Sequence, residues 1–425
     1  MIGKKGQFTV FVVLGFVLIV SFIFLLFARG LVVQEKLRAE ASLTVEQAIR
    51  SSNINFYVKS CLERVSDDAV QLISLQGGKI YSSQGGLWSD PLNVGEDYLI
   101  SNHSSFFYNI SFYNYSNVSY AINPNTNSTC VIPSPPGYPL HNISIGLIKS
   151  MYNNKSISVN NCGFDTGAFG VSSLPALCSP NGSNRVNVSG HDSSFYRFGG
   201  CRFGYKNGSV QEQLQTYISK SLTECVDFSV FENIGYNTTA LNEPVITLTF
   251  SDRFFVINAS YPFKVKVGRS LVIVNHDFEV KKNVRFKQVY EYLQGILEQE
   301  YKNIYFDIER DYKNTLLGWD SQIALIRSVN PCVDCEKGRF DDLFFLVDNQ
   351  SFIRGEPLIF QFAIKNRAPV IDRINFGQKY DLIVKEGHEI IINPFGKDPD
   401  ENIVFYNYSG WREDYNSTFN ETGCY

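Results

Sequence analysis

The feature that most constrains this chain is the uncharged apolar run from Phe8 to Ala28, FTVFVVLGFVLIVSFIFLLFA. As a helix rising about 1.5 Å per residue it would measure about 30 Å, the thickness of a bilayer's hydrocarbon core. It lacks the polar stripe that a helix at the surface of a globular core would carry. No small-x-small cleavage site follows, since the next residues are Arg29, Gly30, Leu31 and Val32, so the run is expected to stay in the mature protein. The sequence thus predicts a basic cytoplasmic leader over 1–7 and one transmembrane helix over 8–28.

Basic residues flank the run on both sides, Lys4 and Lys5 before it and Arg29, Lys36 and Arg38 after it, so charge alone leaves the orientation open. Two other features decide it. Asn-x-Ser/Thr sequons occur at Asn102, Asn109, Asn114, Asn117, Asn127, Asn142, Asn154, Asn181, Asn187, Asn207, Asn237, Asn258, Asn349, Asn407, Asn416 and Asn420. Composition alone would give about five, so the excess points to glycan acceptors on a translocated chain, with an asparagine-rich genome as the plainer explanation. All nine cysteines follow the run, widely spaced, as suits disulfides in an oxidising compartment. The expected localisation is the cell membrane, single-pass, with the N-terminus cytoplasmic and the bulk extracellular.

The opening, MIGKKGQFTVFVVLGF, resembles the prepilin-like (class III) signals of archaeal pilins and related surface proteins: basic residues, a glycine, then glutamine leading into the apolar helix. The resemblance implies processing between Gly6 and Gln7 with the helix retained. Phe11 stands where the bacterial form carries glutamate, which favours the archaeal version or an unprocessed anchor.

Beyond the run, 29–78 reads as a helical stalk, with Phe56, Cys61, Leu62, Val65, Ala69, Leu72 and Ile73 near a 3.6 period and Gly77-Gly78 as the stop. Residues 79–210 are loop-rich and hold ten of the sequons together with Cys130, Cys162, Cys178 and Cys201, where disulfides would supply order that so polar a stretch cannot draw from a core. An α+β domain is expected over 211–330. It opens with a helix over Gln211–Phe231, continues through strands in PVITLTF, RFFVINASYPFKVKV and SLVIVNHDFEVKKNVRF, and closes with an amphipathic helix marked by Val289, Leu293, Ile296, Leu297 and Tyr301. A β connector over 331–365 contains Cys332 and Cys335. The disulfide candidates are therefore Cys61, Cys225, Cys130, Cys162, Cys178, Cys201, Cys332 and Cys335.

Residues 366–425 carry Asn366, Ala368, Pro369, Val370, a Glu386-Gly387 turn, Asp398-Pro399-Asp400 and Tyr406 in order at strand-sized spacing. This resembles the cadherin-like and immunoglobulin-like modules of prokaryotic surface proteins. The resemblance implies a β-sandwich and a calcium site at Asn366, Glu386, Asp398 and Asp400, since calcium takes six to eight hard oxygen ligands. An ordinary solvated Asp-Pro-Asp turn is the alternative. About 60 residues are too few for the seven strands of such a sandwich, so the module is expected to be incomplete, or else small and closed by Cys424 within the chain. The fold class is accordingly α+β behind one transmembrane helix, ending in this β-sandwich.

Few signals for chemistry remain. The lone CxxC of Cys332 and Cys335 lacks the further ligands that zinc needs. The cluster Ser189-Gly190-His191-Asp192-Ser193 places triad residue types side by side, whereas triads join distant residues. Glu298, Glu300, Asp307, Glu309 and Asp311 read as solvated, with Glu298 and Lys302 as an i,i+4 pair. A net charge of −4 offers no basic footprint for nucleic acid. The reading is a membrane-anchored, glycosylated, non-enzymatic adhesion or binding protein whose partners are the membrane and another surface protein or glycan, with structural calcium as its one implied cofactor. A pilin-like filament subunit is the alternative, and a surface enzyme the third.

Overall fold

The computed structural model describes residues 15–25, 53–100, 117–124, 170–185, 200–234, 236–267, 270–302, 306–311, 321–329, 340–367, 370–375 and 393–400. Only residues 15–25 of the apolar run fall among them, as a helix, α1. At about 1.5 Å per residue this covers roughly half of a bilayer core. Among the described residues no helix is long and apolar enough to cross a membrane. This corrects the expected transmembrane helix over 8–28, and with it the single-pass cell-membrane localisation with an extracellular bulk.

The fold is mixed α+β. After α1 the elements run α2 (Asn53–Leu75), β1 (Tyr98–Ile100), β2 (Asn117–Asn123), β3 (Val171–Ser172), α3 (Val210–Cys225), β4 (Tyr236–Ala240), β5 (Val245–Phe250), β6 (Phe255–Val267), β7 (Ser270–Lys282), α4 (Phe286–Lys302), α5 (Ile308–Asp311), β8 (Ser321–Val329), β9 (Asp341–Ile353), β10 (Glu356–Ile364), β11 (Val370–Asn375) and β12 (Asn393–Lys397). They form two compact units.

The first unit comprises Met1–Glu63, Leu222–Val245 and Ala259–Glu279. β4 pairs antiparallel with the later part of β6, Tyr236 opposite Val267 and Ala240 opposite Phe263. Period-two alternation sends Ala259, Tyr261, Phe263 and Val265 into the core. There the Phe228 ring lies 5.4 Å from Phe263 and 5.9 Å from Tyr261. Tyr57 meets Phe231 edge to face at 5.5 Å. Cys61 of α2 and Cys225 of α3 stand at disulfide distance, with Cα atoms 5.8 Å apart and 164 residues between them in sequence.

The second unit comprises Arg64–Ser221, Ile246–Asn258 and Val280–Tyr425. Its main sheet has the order β1-β2-β10-β9-β8, with β3 also on β2. β2 runs parallel to β10, while β9 lies antiparallel to both β10 and β8. Every residue of β9 from Asp341 to Asp348 is buried, as in a strand covered on both faces. Phe344 stacks on Phe362 at 4.4 Å, and Phe286 and Tyr290 of α4 meet Phe360 at 6.5 and 5.5 Å. Each fully buried Phe of this kind contributes about 1.5–3 kcal/mol.

Helix α2 ends where two glycines take left-handed φ values, +66° at Gly77 and +80° at Gly78. The Gly78 N–H donates to the Ile73 carbonyl at 2.8 Å, the six-to-one bond that closes a helix C-terminus. Glutamines on α3 hold backbone. Gln211 accepts from the Ser179 N–H at 3.0 Å and donates to the Leu248 carbonyl at 2.7 Å. Gln213 accepts from the Ile80 N–H at 2.7 Å and donates to the Gly78 carbonyl at 3.1 Å, and Gln215 donates to the Ile246 carbonyl at 2.9 Å. These bonds order chain that has little apolar material of its own.

Of the immunoglobulin-like sandwich expected over 366–425, only residues 366–367, 370–375 and 393–400 are described; they contain a two-stranded antiparallel sheet, β11 with β12, and cluster with the main sheet's unit. A buried ion cluster joins Arg367 and Asp400 to α4.

Candidate functional site

Where α4, α5, β9, β10 and the Asp398–Asp400 turn meet, a small recess is lined by Glu300, Asp307, Asp342 and Asp400 among apolar neighbours that include Phe306 and Ile364. Its wall is organised by Arg367, which is 4% exposed. The Arg367 guanidinium donates from Nε to Asp400 Oδ1 at 3.0 Å and from Nη2 to the same oxygen at 2.6 Å, while the Arg367 backbone N–H donates to Asp400 Oδ2 at 2.6 Å. Nη2 also donates to Glu300 Oε1 at 2.8 Å, and Nη1 to the Glu300 carbonyl at 3.3 Å. Burial by itself pulls the guanidinium down, but the charges of Asp400 and Glu300 and their hydrogen bonds outweigh it and hold Arg367 well above the ordinary arginine value.

A second buried carboxylate stands beside this group. Asp341 accepts the Tyr120 hydroxyl at 2.5 Å and the Asn366 N–H at 2.9 Å, which fixes the residue before Arg367. At the far end of the same strand, Asp348 takes the Arg285 guanidinium on both oxygens, 3.0 and 2.8 Å from Nε. Ser351 donates to Asp348 at 2.5 Å and accepts the Arg285 N–H at 3.0 Å. Such fully bonded pairs order a core, and removing one member of a pair is costly.

Three residues of the predicted calcium set, Asn366, Asp398 and Asp400, are described. Glu386 lies outside the described residues. Asn366 takes part through its backbone N–H, Asp398 accepts the Asp400 N–H at 2.8 Å, and Asp400 is held by Arg367. Arg367 engages both Asp400 carboxylate oxygens. Among the described residues, no group of three or more His, Cys, Asp or Glu is placed to hold a metal ion.

Of the cysteines, Cys61 with Cys225 and Cys178 with Cys201 stand at disulfide distance, the second pair with Cα atoms 6.1 Å apart. Cys130, Cys162, Cys332, Cys335 and Cys424 lie outside the described residues, as do Gly6, Gln7 and the 189–193 cluster. So do the sequons at Asn102, Asn109, Asn114, Asn127, Asn142, Asn154, Asn187, Asn407, Asn416 and Asn420. Asn181, Asn207, Asn237, Asn258 and Asn349 are exposed, and Asn117 is half-buried.

Glu300 was expected to be solvated and is instead 7% exposed, paired with Arg367. Its position carried the signal: it falls one heptad after Leu293, in the stripe that also contains Ile296 and Leu297. Arg367 carried none, since its partners lie on segments distant in sequence. Comparison with protein-family models, with curated proteins and with solved structures gave no match.

Proposed function

We propose that this chain is a non-enzymatic binding protein of the adhesion type, stapled by disulfides and bearing N-glycans, whose partner is another surface protein or a glycan. The observation that carries this reading is the placement of the described sequons: five of their six asparagines, Asn181, Asn207, Asn237, Asn258 and Asn349, stand exposed. Supporting it, Glu300 and Asp400 of the recess are ion-paired with Arg367 and Asp307 accepts the Glu309 and Arg310 N–H groups, contacts that order the fold. The test is direct. Beads coated with the full chain are assayed for mutual aggregation and for binding to a glycan array, beside panels of ester, peptide, glycoside and phosphate substrates. Binding is expected; turnover that disappears on Asp342→Asn would overturn the reading.

A second reading, a filament subunit, is favoured by α1. Its hydrophobic side chains from Phe16 to Leu25 are between 49% and 72% exposed on every face, an amount of apolar surface that an assembly of copies would cover. Sedimentation of the full chain decides this: a concentration-independent monomer removes the filament reading.

A further inference from the structure

We infer that Asn237 and Asn258 accept glycans, and that Asn117, Asn207 and Asn349 stay bare because the fold has taken the hydroxyl their sequons require. The inference rests on the glycan-bearing reading above and adds to it which sites are used and when.

A sequon is defined by two groups, the asparagine amide and the hydroxyl two residues on. In the transfer, the amide nitrogen bonds to the anomeric carbon of a sugar activated through an anomeric phosphate ester. The carbon–oxygen bond to phosphate breaks, the electron pair leaves with the phosphate, and one amide proton is lost to a base of the transferase. A transferase that meets folded chain must therefore reach both groups together.

Three hydroxyls are out of reach. Ser119, two residues after Asn117, is fully buried and bonded to the Tyr81 hydroxyl at 2.5 Å. Ser209, after Asn207, is fully buried as the N-cap of α3, accepting the Glu212 N–H at 3.2 Å. Ser351, after Asn349, is fully buried between Asp348 and the Arg285 N–H. In each case the serine is explained by its structural work, without any glycan.

The sequons at Asn237 and Asn258 lie on strands, where residues two apart share a face. On β4, Asn237 and Thr239 are both exposed while Thr238 between them is 5% exposed. On β6, Asn258 and Ser260 are both exposed with Ala259 fully buried between them. Strand alternation thus presents amide and hydroxyl side by side to solvent, on backbone already fixed by pairing.

Glycopeptide mass spectrometry on the full chain from its own source cells reads occupancy site by site. Asn237 and Asn258 are expected to exceed Asn117, Asn207 and Asn349 by about tenfold or more, the factor that about 1.4 kcal/mol for freeing one such buried hydroxyl carries. Comparable occupancy at Asn117, Asn207 or Asn349 would overturn the inference while leaving the glycan-bearing reading intact; no glycan at any site would overturn both. Thr239→Ala and Ser260→Ala should each remove the glycan at their own sequon and leave thermal unfolding unchanged. Ser351→Ala, in contrast, should lower the melting temperature with no change in glycan mass.

Discussion

Arg367 and Glu300 are 67 residues apart in sequence, yet the guanidinium Nη2 donates to the Glu300 carboxylate at 2.8 Å with both side chains almost wholly out of water. Asp400 completes the cluster, so one cation joins α4 to the turn that follows β12. Replacing Arg367 with Met would leave two carboxylates buried without their counter-charge. The expected loss is about 3–5 kcal/mol, measured as a drop in the urea midpoint. Asp400→Asn should destabilise equally with calcium and with chelator; a loss confined to calcium buffer would instead make Asp400 a ligand.

The two cysteine pairs should separate by loop length. Cys61–Cys225 closes 164 residues and Cys178–Cys201 closes 23. In the chain-entropy description the longer closure is worth about 5 kcal/mol and the shorter about 3 kcal/mol. Calorimetry of Cys61→Ser/Cys225→Ser against Cys178→Ser/Cys201→Ser should give the larger fall in melting temperature for the first pair.

Glu291 sets a pH dependence of unusual sign for a carboxylate. Burial pushes its carboxyl up, outweighing the Arg202 N–H, which donates to it at 2.7 Å, and the nearby charge of Lys287. Because the folded chain binds this proton more tightly than the unfolded one, the contribution is fully present below the ordinary glutamate value of about 4.3 and is lost as pH rises through the folded value. Glu291→Gln keeps a side-chain oxygen for the Arg202 N–H and removes the titration. It should raise the melting temperature near neutral pH and flatten its profile above about pH 4; a parallel profile would refute this assignment.

Gly78 has two reasons to be glycine. Its φ is +80°, and a Cβ there would stand 2.9 Å from the Tyr290 hydroxyl, itself bonded to the Pro175 carbonyl at 2.8 Å. Gly78→Ala should cost about 1–3 kcal/mol. Gly204→Ala shares the positive φ, at +85°, but opens onto empty space, so it should cost only the backbone part. Paired denaturation curves separate the steric share from the conformational one.

Local signals in the sequence located many elements. The strands read from PVITLTF, RFFVINASYPFKVKV and SLVIVNHDFEVKKNVRF coincide with β5, β6 and β7 to within a few residues, because alternation and β-branched content act within each strand. The stop at Gly77-Gly78 and the amphipathic stripe of α4 were equally local. What escaped depended on distant partners. β2 lies inside a stretch that reads as loop, and its pairing with the distant β10, Tyr120 opposite Ala363, joins it to β9 and β8 in the main sheet. The recess was half legible: the Asp-Pro-Asp turn stood out, but as a ligand set, since nothing near Arg367 in sequence shows that its guanidinium meets Asp400. The apolar run misled because hydropathy alone fixes neither the length nor the surroundings of a helix.

The buried strand β9 carries a further consequence for the chain before it folds. Leu343–Val347, LFFLV, combines high β propensity with no charge, the composition of segments that stack into cross-β aggregates when exposed. Asp341 and Asp342 bracket it on one side and Asp348 on the other, so any register that stacks the run also stacks like charges. In the native sheet Asp341 and Asp348 are neutralised by hydrogen bonds and by Arg285; in the unfolded chain the same carboxylates are gatekeepers. Replacing them with asparagine would therefore lower solubility during refolding beyond what the lost native bonds explain.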